Sequence, residues 1–149
     1  MKDFFASIYE LFTSLYGEDL GLHLYGHNGQ AYETNGGQAL YTPIGLAMVL
    51  SSLLVVLIFY YAINRPSFNR WYHWLLMMGM AFLGNALAGF YVPYLDVEAS
   101  RIATDLAVFE GNCVAFGFVN GLYSAVFFVL FSMALRWWSR NCSSTPFPN

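Results

Sequence analysis

The chain has 149 residues, of which 58% are hydrophobic, 19% aromatic and only 10% charged, with a formal net charge of −3. A soluble domain carries about 25% charged residues, so an ordinary water-soluble globule is excluded, and the apolar length leaves no room for a second soluble domain. The net charge says little as a total, no nucleic-acid partner is expected, and the information lies in where the few charges fall.

From the N-terminus, Phe4, Phe5, Ile8, Leu11, Phe12 and Leu15 recur at three- and four-residue spacing, which predicts an amphipathic helix stopped by Gly17. Ser7, Glu10, Thr13 and Ser14 interrupt it, unlike the compact apolar run of a cleavable signal. Its polar side carries Asp3 and Glu10, so a protein partner or a neutral interface suits it better than anionic lipid.

The following stretch to Tyr41 contains Gly21, Gly26, Gly29, Gly36 and Gly37 and reads as a loop. Its Asn35-Gly36 turn signal, between Gln30-Ala31-Tyr32 and Gln38-Ala39-Leu40-Tyr41, offers a small hairpin. His23 and His27 would share a helical face, but Gly26 and Gly29 oppose a helix there and no cysteine or HExxH companion stands nearby. Solvated loop histidines are expected, with no metal.

Three stretches then follow, at 43–63, 74–95 and 112–135, none of which contains Asp, Glu, Lys or Arg. Each reaches the roughly 20 apolar residues that cross a bilayer. The expected class is an all-α membrane protein with three transmembrane helices, an N-terminal amphipathic helix and short extracytoplasmic elements. Residues 1–41 form the extracytoplasmic helix and Gly-rich loop, 42–138 the membrane domain and 139–149 a cytoplasmic tail.

The first interspan loop holds Arg65 and Arg70 without an acid, and Arg136 and Arg140 follow the third span. On the other side lie Asp3, Glu10, Glu18, Asp19 and Glu33, and then Asp96, Glu98, Asp105 and Glu110 beside Arg101. Basic loops stay cytoplasmic, so the N-terminus is expected outside and the C-terminus inside a bacterial inner membrane. Between the second and third spans, Val97, Ile102, Leu106 and Phe109, with Asp96 as N-cap, predict a further helix. Tyr and Trp near the span ends, including Trp71, Trp74, Tyr91 and Tyr94, read as interfacial anchors.

Within the spans the informative residues are small or polar. Ala81, Gly84, Asn85, Ala88 and Gly89 make one stripe, and Cys113, Gly117, Asn120, Gly121 and Ser124 another, the latter with a literal Gly117-xxx-Gly121. Lipid gives no hydrophobic drive for helix pairing, so small residues and interhelical hydrogen bonds supply it. The stripes, with Ser51 and Ser52, are expected at helix contacts; the alternative is a polar pore lining, with Asp105 and Glu110 forming an acidic outer vestibule. Cys113 and Cys142 fall at opposite ends of the third span, about 40 Å apart, too far for a disulfide.

No nucleophile with a base, carboxylate pair within a span or phosphate-binding glycine loop occurs. No span holds a histidine for haem. The chain is therefore expected to be no enzyme and to need no cofactor, with the bilayer and copies of itself or other membrane subunits as partners. Two functions follow: a structural or accessory subunit of a membrane complex, or a small homo-oligomeric pore. For the second, topology and size are similar to those of three-span holins, a likeness that extends to no motif.

Overall fold

The computed structural model describes residues 2–26, 39–63 and 70–135. The expected hairpin turn, His27, the first basic loop up to residue 69, Cys142 and the tail lie outside the described residues. Six helices follow in order: α1 Lys2–Glu10, α2 Thr13–Tyr16, α3 Glu18–Tyr25, α4 Tyr41–Leu57, α5 Trp71–Glu98 and α6 Glu110–Leu135, with α4 running on as a π-helical turn over Ile58–Ile63. Three of these elements, Tyr41–Ile63, Trp71–Glu98 and Glu110–Leu135, are long and apolar enough to cross a membrane. Each extends beyond the expected apolar stretch at one or both ends, because helix geometry continues into the polar boundary where the sequence already shows charge.

The register of the spans follows from their hydroxyls. Ser52 meets Ser124 at 3.0 Å and Tyr60 meets Ser132 at 2.7 Å, both at an offset of 72 residues. A constant offset over two positions means that α4 and α6 run parallel. By contrast, α5 meets α6 with Asn85 at Ser124 and Trp74 at Ser132, so it runs antiparallel to them. Helix α6 lies between the other two and is the most enclosed, with 39% of its most apolar stretch buried against 22% for α5. Much of α4 and α5 therefore faces outward, with Leu46, Leu50, Leu54, Leu83 and Leu87 all exposed.

The N-terminal segment is not one helix. It breaks at residues 11–12, and α1, α2 and α3 fold back over the end of the bundle where α4 and α6 begin, called here the capped end. The buried face of this segment also differs from the expected stripe. Phe5, Ala6, Tyr9 and Tyr16 are buried, whereas Phe4, Leu11, Phe12 and Leu15 are exposed. The phenol hydroxyls explain the difference: inside the bundle they find polar partners that purely apolar side chains cannot use, while Leu and Phe suit an apolar exterior.

The Gly-rich region begins with a helix rather than a loop. Helix α3 runs to Tyr25, and Gly26, at φ 106, closes it in the left-handed conformation. The glycine read as a helix breaker at the sequence level is thus the cap of a helix that contains His23. The predicted helix after Asp96 is corrected in the opposite sense. Asp96 sits in the last turn of α5, and residues 99–109 are irregular, with Ser100 at φ 53.

Candidate functional site

The described residues place their polar side chains in two interior clusters and one cleft at the capped end. The central cluster is built where the three spans cross at mid-length. Asn85 Nδ2 donates to the Ala81 carbonyl at 3.0 Å and to Ser124 Oγ at 2.8 Å, and its Oδ1 accepts from Ser51 Oγ at 2.9 Å. Ser52 Oγ donates to the Met48 carbonyl at 2.7 Å, and Ser124 Oγ lies 3.1 Å from the Ala81 carbonyl. One turn nearer the capped end, Asn120 Nδ2 donates to the Asn85 carbonyl at 2.7 Å and its Oδ1 accepts the Tyr9 hydroxyl at 2.6 Å.

Both amide protons and the oxygen of Asn85, and the Nδ2 and Oδ1 of Asn120, thereby find partners inside one chain, with Ser52, Asn85, Asn120 and Ser124 all buried. An unsatisfied amide costs several kcal/mol in hydrocarbon, so this closed set acts as an internal tie between α4, α5, α6 and α1. At the opposite end Trp74 Nε1 donates to Ser132 Oγ at 2.7 Å, the same oxygen that meets Tyr60. The π-helical turn lets the successive residues Phe59 and Tyr60 both be buried against this site.

Small residues set the helix separation. A Cβ on Gly117 would lie 2.6 Å from the Ala86 carbonyl, and one on Gly121 would lie 3.0 Å from the Phe82 carbonyl. Gly84 and Ala88, of the same expected contact stripe, lie outside this contact within the chain. Both are exposed, and a Cβ on Gly84 would meet nothing within 4 Å. The contact face of α5 follows Ala81, Asn85 and Gly89, all buried at four-residue spacing. Gly84 and Ala88, each one position earlier, are rotated about 100° away.

The turn between α1 and α2 is held by side chains. The Tyr123 hydroxyl donates to the Ile8 carbonyl, Tyr16 donates to the Tyr9 carbonyl at 3.1 Å, and Thr13 donates to the Glu10 carbonyl at 2.8 Å. These are carbonyls left over at the end of a helix. Burial pushes the Tyr9 phenol above its usual range, with smaller contributions from Tyr123 and Tyr16, and burial also raises Tyr16. Both phenols therefore remain protonated donors at neutral pH.

At the capped end His23 is buried rather than solvated, with Nε2 3.3 Å from Asp96 Oδ2, and Arg101 lies 3.6 Å from the same carboxylate. This joins α3 to the end of α5. Asp105 and Glu110, the expected vestibule, are both exposed at this end. The capped end also holds a cleft of about 620 Å³ lined by Glu10, Thr13, Glu18, Gly21, Leu22, Tyr25 and Tyr41. Among the described residues no group of three His, Cys, Asp or Glu side chains is placed to hold a metal, and Cys113 is a buried free thiol.

Tyr9, Tyr60, Trp74 and Ser132 were not singled out from the sequence as partners of the polar stripe. Ser132 carries a signal, since it continues the buried series Asn120, Ser124 and Phe128 at four-residue spacing. Tyr9 carries none, because its partner lies 111 residues away. Comparison with family models, curated proteins and solved structures finds no match to this chain.

Proposed function

We propose that this chain is a non-catalytic multi-pass membrane protein that serves as a structural or accessory subunit of an oligomeric membrane complex. One observation carries the reading. The mid-span polar side chains Ser51, Ser52, Asn85, Asn120 and Ser124 are bonded inside the chain, while small residues on α5, Gly84 and Ala88, stand exposed between Met80, Leu83, Leu87 and Tyr91. Helix surfaces with small residues allow close approach of a neighbouring helix, and this face is free to receive one. An apolar groove of about 430 Å³ along Met78, Leu122, Tyr123, Val126 and Val129 offers a second outward surface.

The pore reading needs a polar face between protomers. Asn85, Asn120 and Ser124 are turned inward and bonded, so that reading falls to the exposed carboxylates Asp105 and Glu110. The orientation that accompanies the subunit reading puts the capped end and N-terminus outside and the C-terminus in the cytoplasm, as the basic segments require. Reporter fusions at the two termini check that orientation.

The functional test is the chain in its native membrane. Cysteine introduced at Gly84 or Ala88 is expected to crosslink to a different protein. The same chain expressed alone is expected to give a detergent-corrected mass of a monomer or a polydisperse species. A discrete homo-oligomer that conducts ions in planar bilayers, with conductance changed by Glu110→Gln, would replace this reading with the pore.

A further inference from the structure

The pair that joins α3 to α5 can change its charge. His23 lies in the last turn of α3 and Asp96 in the last turn of α5, with Nε2 3.3 Å from Oδ2. A helix leaves carbonyls without intrahelical partners at its C-terminus and carries the negative pole of its dipole there. Two such ends meet at this point, and Asp96 adds a full negative charge to them, on the pole that least favours one. A cation is wanted between the two ends, and an imidazole supplies or withholds one between about pH 5 and pH 8.

The neighbouring groups set the sign. Arg101, from the segment after α5, stands 3.6 Å from the other oxygen of Asp96, but its side chain is 71% exposed and water screens its charge. Glu18 and Asp19 stand on α3 itself, Glu98 follows Asp96 on α5, Asp105 lies in the segment after it, and Glu110 opens α6. All the charged groups of these elements other than Arg101 are acidic, and the phenols Tyr25 of α3 and Tyr41 of α4 bring no positive charge. Burial of His23 opposes a charged ring. A carboxylate at 3.3 Å and two negative helix ends act against that penalty.

Helix α3 is an element that such a pair can move. It has 8 residues, too few to persist as a helix by themselves, so its order rests on docking. Leu20 and Leu24 are fully buried in a core with Tyr16, Tyr41, Phe116 and Val119, and the Leu24 carbonyl accepts the Leu40 amide just before α4 at 2.8 Å. His23 sits between those two leucines and fastens the same helix to a span. When the ring is neutral, Asp96 keeps Arg101 as a partner, so the carboxylate is not stranded if α3 moves away.

We propose that His23 and Asp96 form a proton-operated latch: the protonated imidazole locks the end of α3 onto the end of α5, and loss of that proton loosens α3 from the bundle. The latch works within one chain and does not depend on the subunit reading. With the proton the contact is an ion pair in a largely buried place. Without it the contact is a hydrogen bond from an uncharged ring, and bonds between two ions are the stronger kind. The stability that the proton contributes is therefore present at low pH and is lost as pH rises through the titration of the ring.

The test uses the full chain purified in mild detergent. Hydrogen exchange of the α3 amides is followed between about pH 5.5 and pH 8 and corrected for the intrinsic pH dependence of exchange. Protection of α3 is expected to fall about tenfold across this range. His23→Gln, which keeps a donor but never charges, and Asp96→Asn are each expected to abolish the dependence, while His27→Gln and His73→Gln keep it. Flat protection in the native chain, protection that rises with pH, or a fall that survives either His23→Gln or Asp96→Asn overturns the proposal. Should those variants lose helix by circular dichroism, NMR of the histidine rings in the native chain decides the outcome. The loss of protection must then share its midpoint with His23, and a loss that follows another histidine, or none, overturns the latch.

Discussion

Asn85 shows how much a single amide can organise in hydrocarbon. Its side chain touches α4 through Ser51 and α6 through Ser124, and its own carbonyl accepts from Asn120. Asn85→Leu keeps the bulk but removes the side-chain bonds to Ser51 and Ser124, so a loss of about 1–3 kcal/mol is expected, read as a lower denaturant midpoint in detergent. Ser51→Ala removes one donor whose proton is already shared with the Met48 carbonyl, and a smaller shift is expected. Tyr9 and Tyr16 give a pH dependence. Their folded-state pKa values are raised by burial, so the stability they contribute is present below the unfolded value of about 10 and is lost as pH rises above it. Phenolate absorbance should therefore appear late for these two residues, and protease cleavage within α1 should rise with it; early titration of all tyrosines would contradict the docking of α1.

Among the elements, α6 and its glycines set how closely the spans pack. Gly117→Leu would drive a side chain into the Ala86 carbonyl and Phe90, and it is expected to cost more than about 2 kcal/mol and to lower helix content. Gly84→Leu has open space before it, so the isolated chain should change by less than about 0.5 kcal/mol. Native gels of whole membranes distinguish the two: the second variant is expected to lose its complex while keeping its fold. If Gly84→Leu left the native assembly unchanged, this face of α5 would not be the subunit contact. The short helices obey a different logic. Helix α1 is too short to persist alone, and it is held by Phe5 in the notch at Gly45 and by hydroxyls that satisfy its end. Phe5→Ala is expected to cost up to about 3 kcal/mol and to expose α1 to proteolysis without unfolding the three spans.

The whole molecule is a bundle tied at three levels. Tyr60, Trp74 and Ser132 join one end, Asn85, Ser52 and Ser124 the middle, and Tyr9 and Asn120 the level beneath the capped end. Between these ties the surface is apolar, and so is much of the exterior of α4 and α5. Such a unit has its mid-span amides and serines bonded before it meets a partner, which suits assembly by shape rather than by buried charge. Expressed alone, it should remain folded yet lack a fixed stoichiometry; an obligate homo-oligomer stable to dilution in detergent would count against the accessory-subunit role.

Hydropathy and charge placement were enough to find three apolar helices close to their actual limits, because a long uncharged apolar run has few alternatives to a membrane helix. They also marked Asn85, Asn120, Gly117, Gly121 and Ser124, which meet at the α5–α6 contact. They could not separate Gly84 and Ala88 from Asn85, since residues one position apart share a stripe on paper but point about 100° apart on a helix. Nor could they reveal that Tyr9 rather than Leu11 turns inward, or that His23 meets Asp96. Each of these depends on partners far along the chain, and the register of one helix against another is set by packing between faces, not by the periodicity of either one.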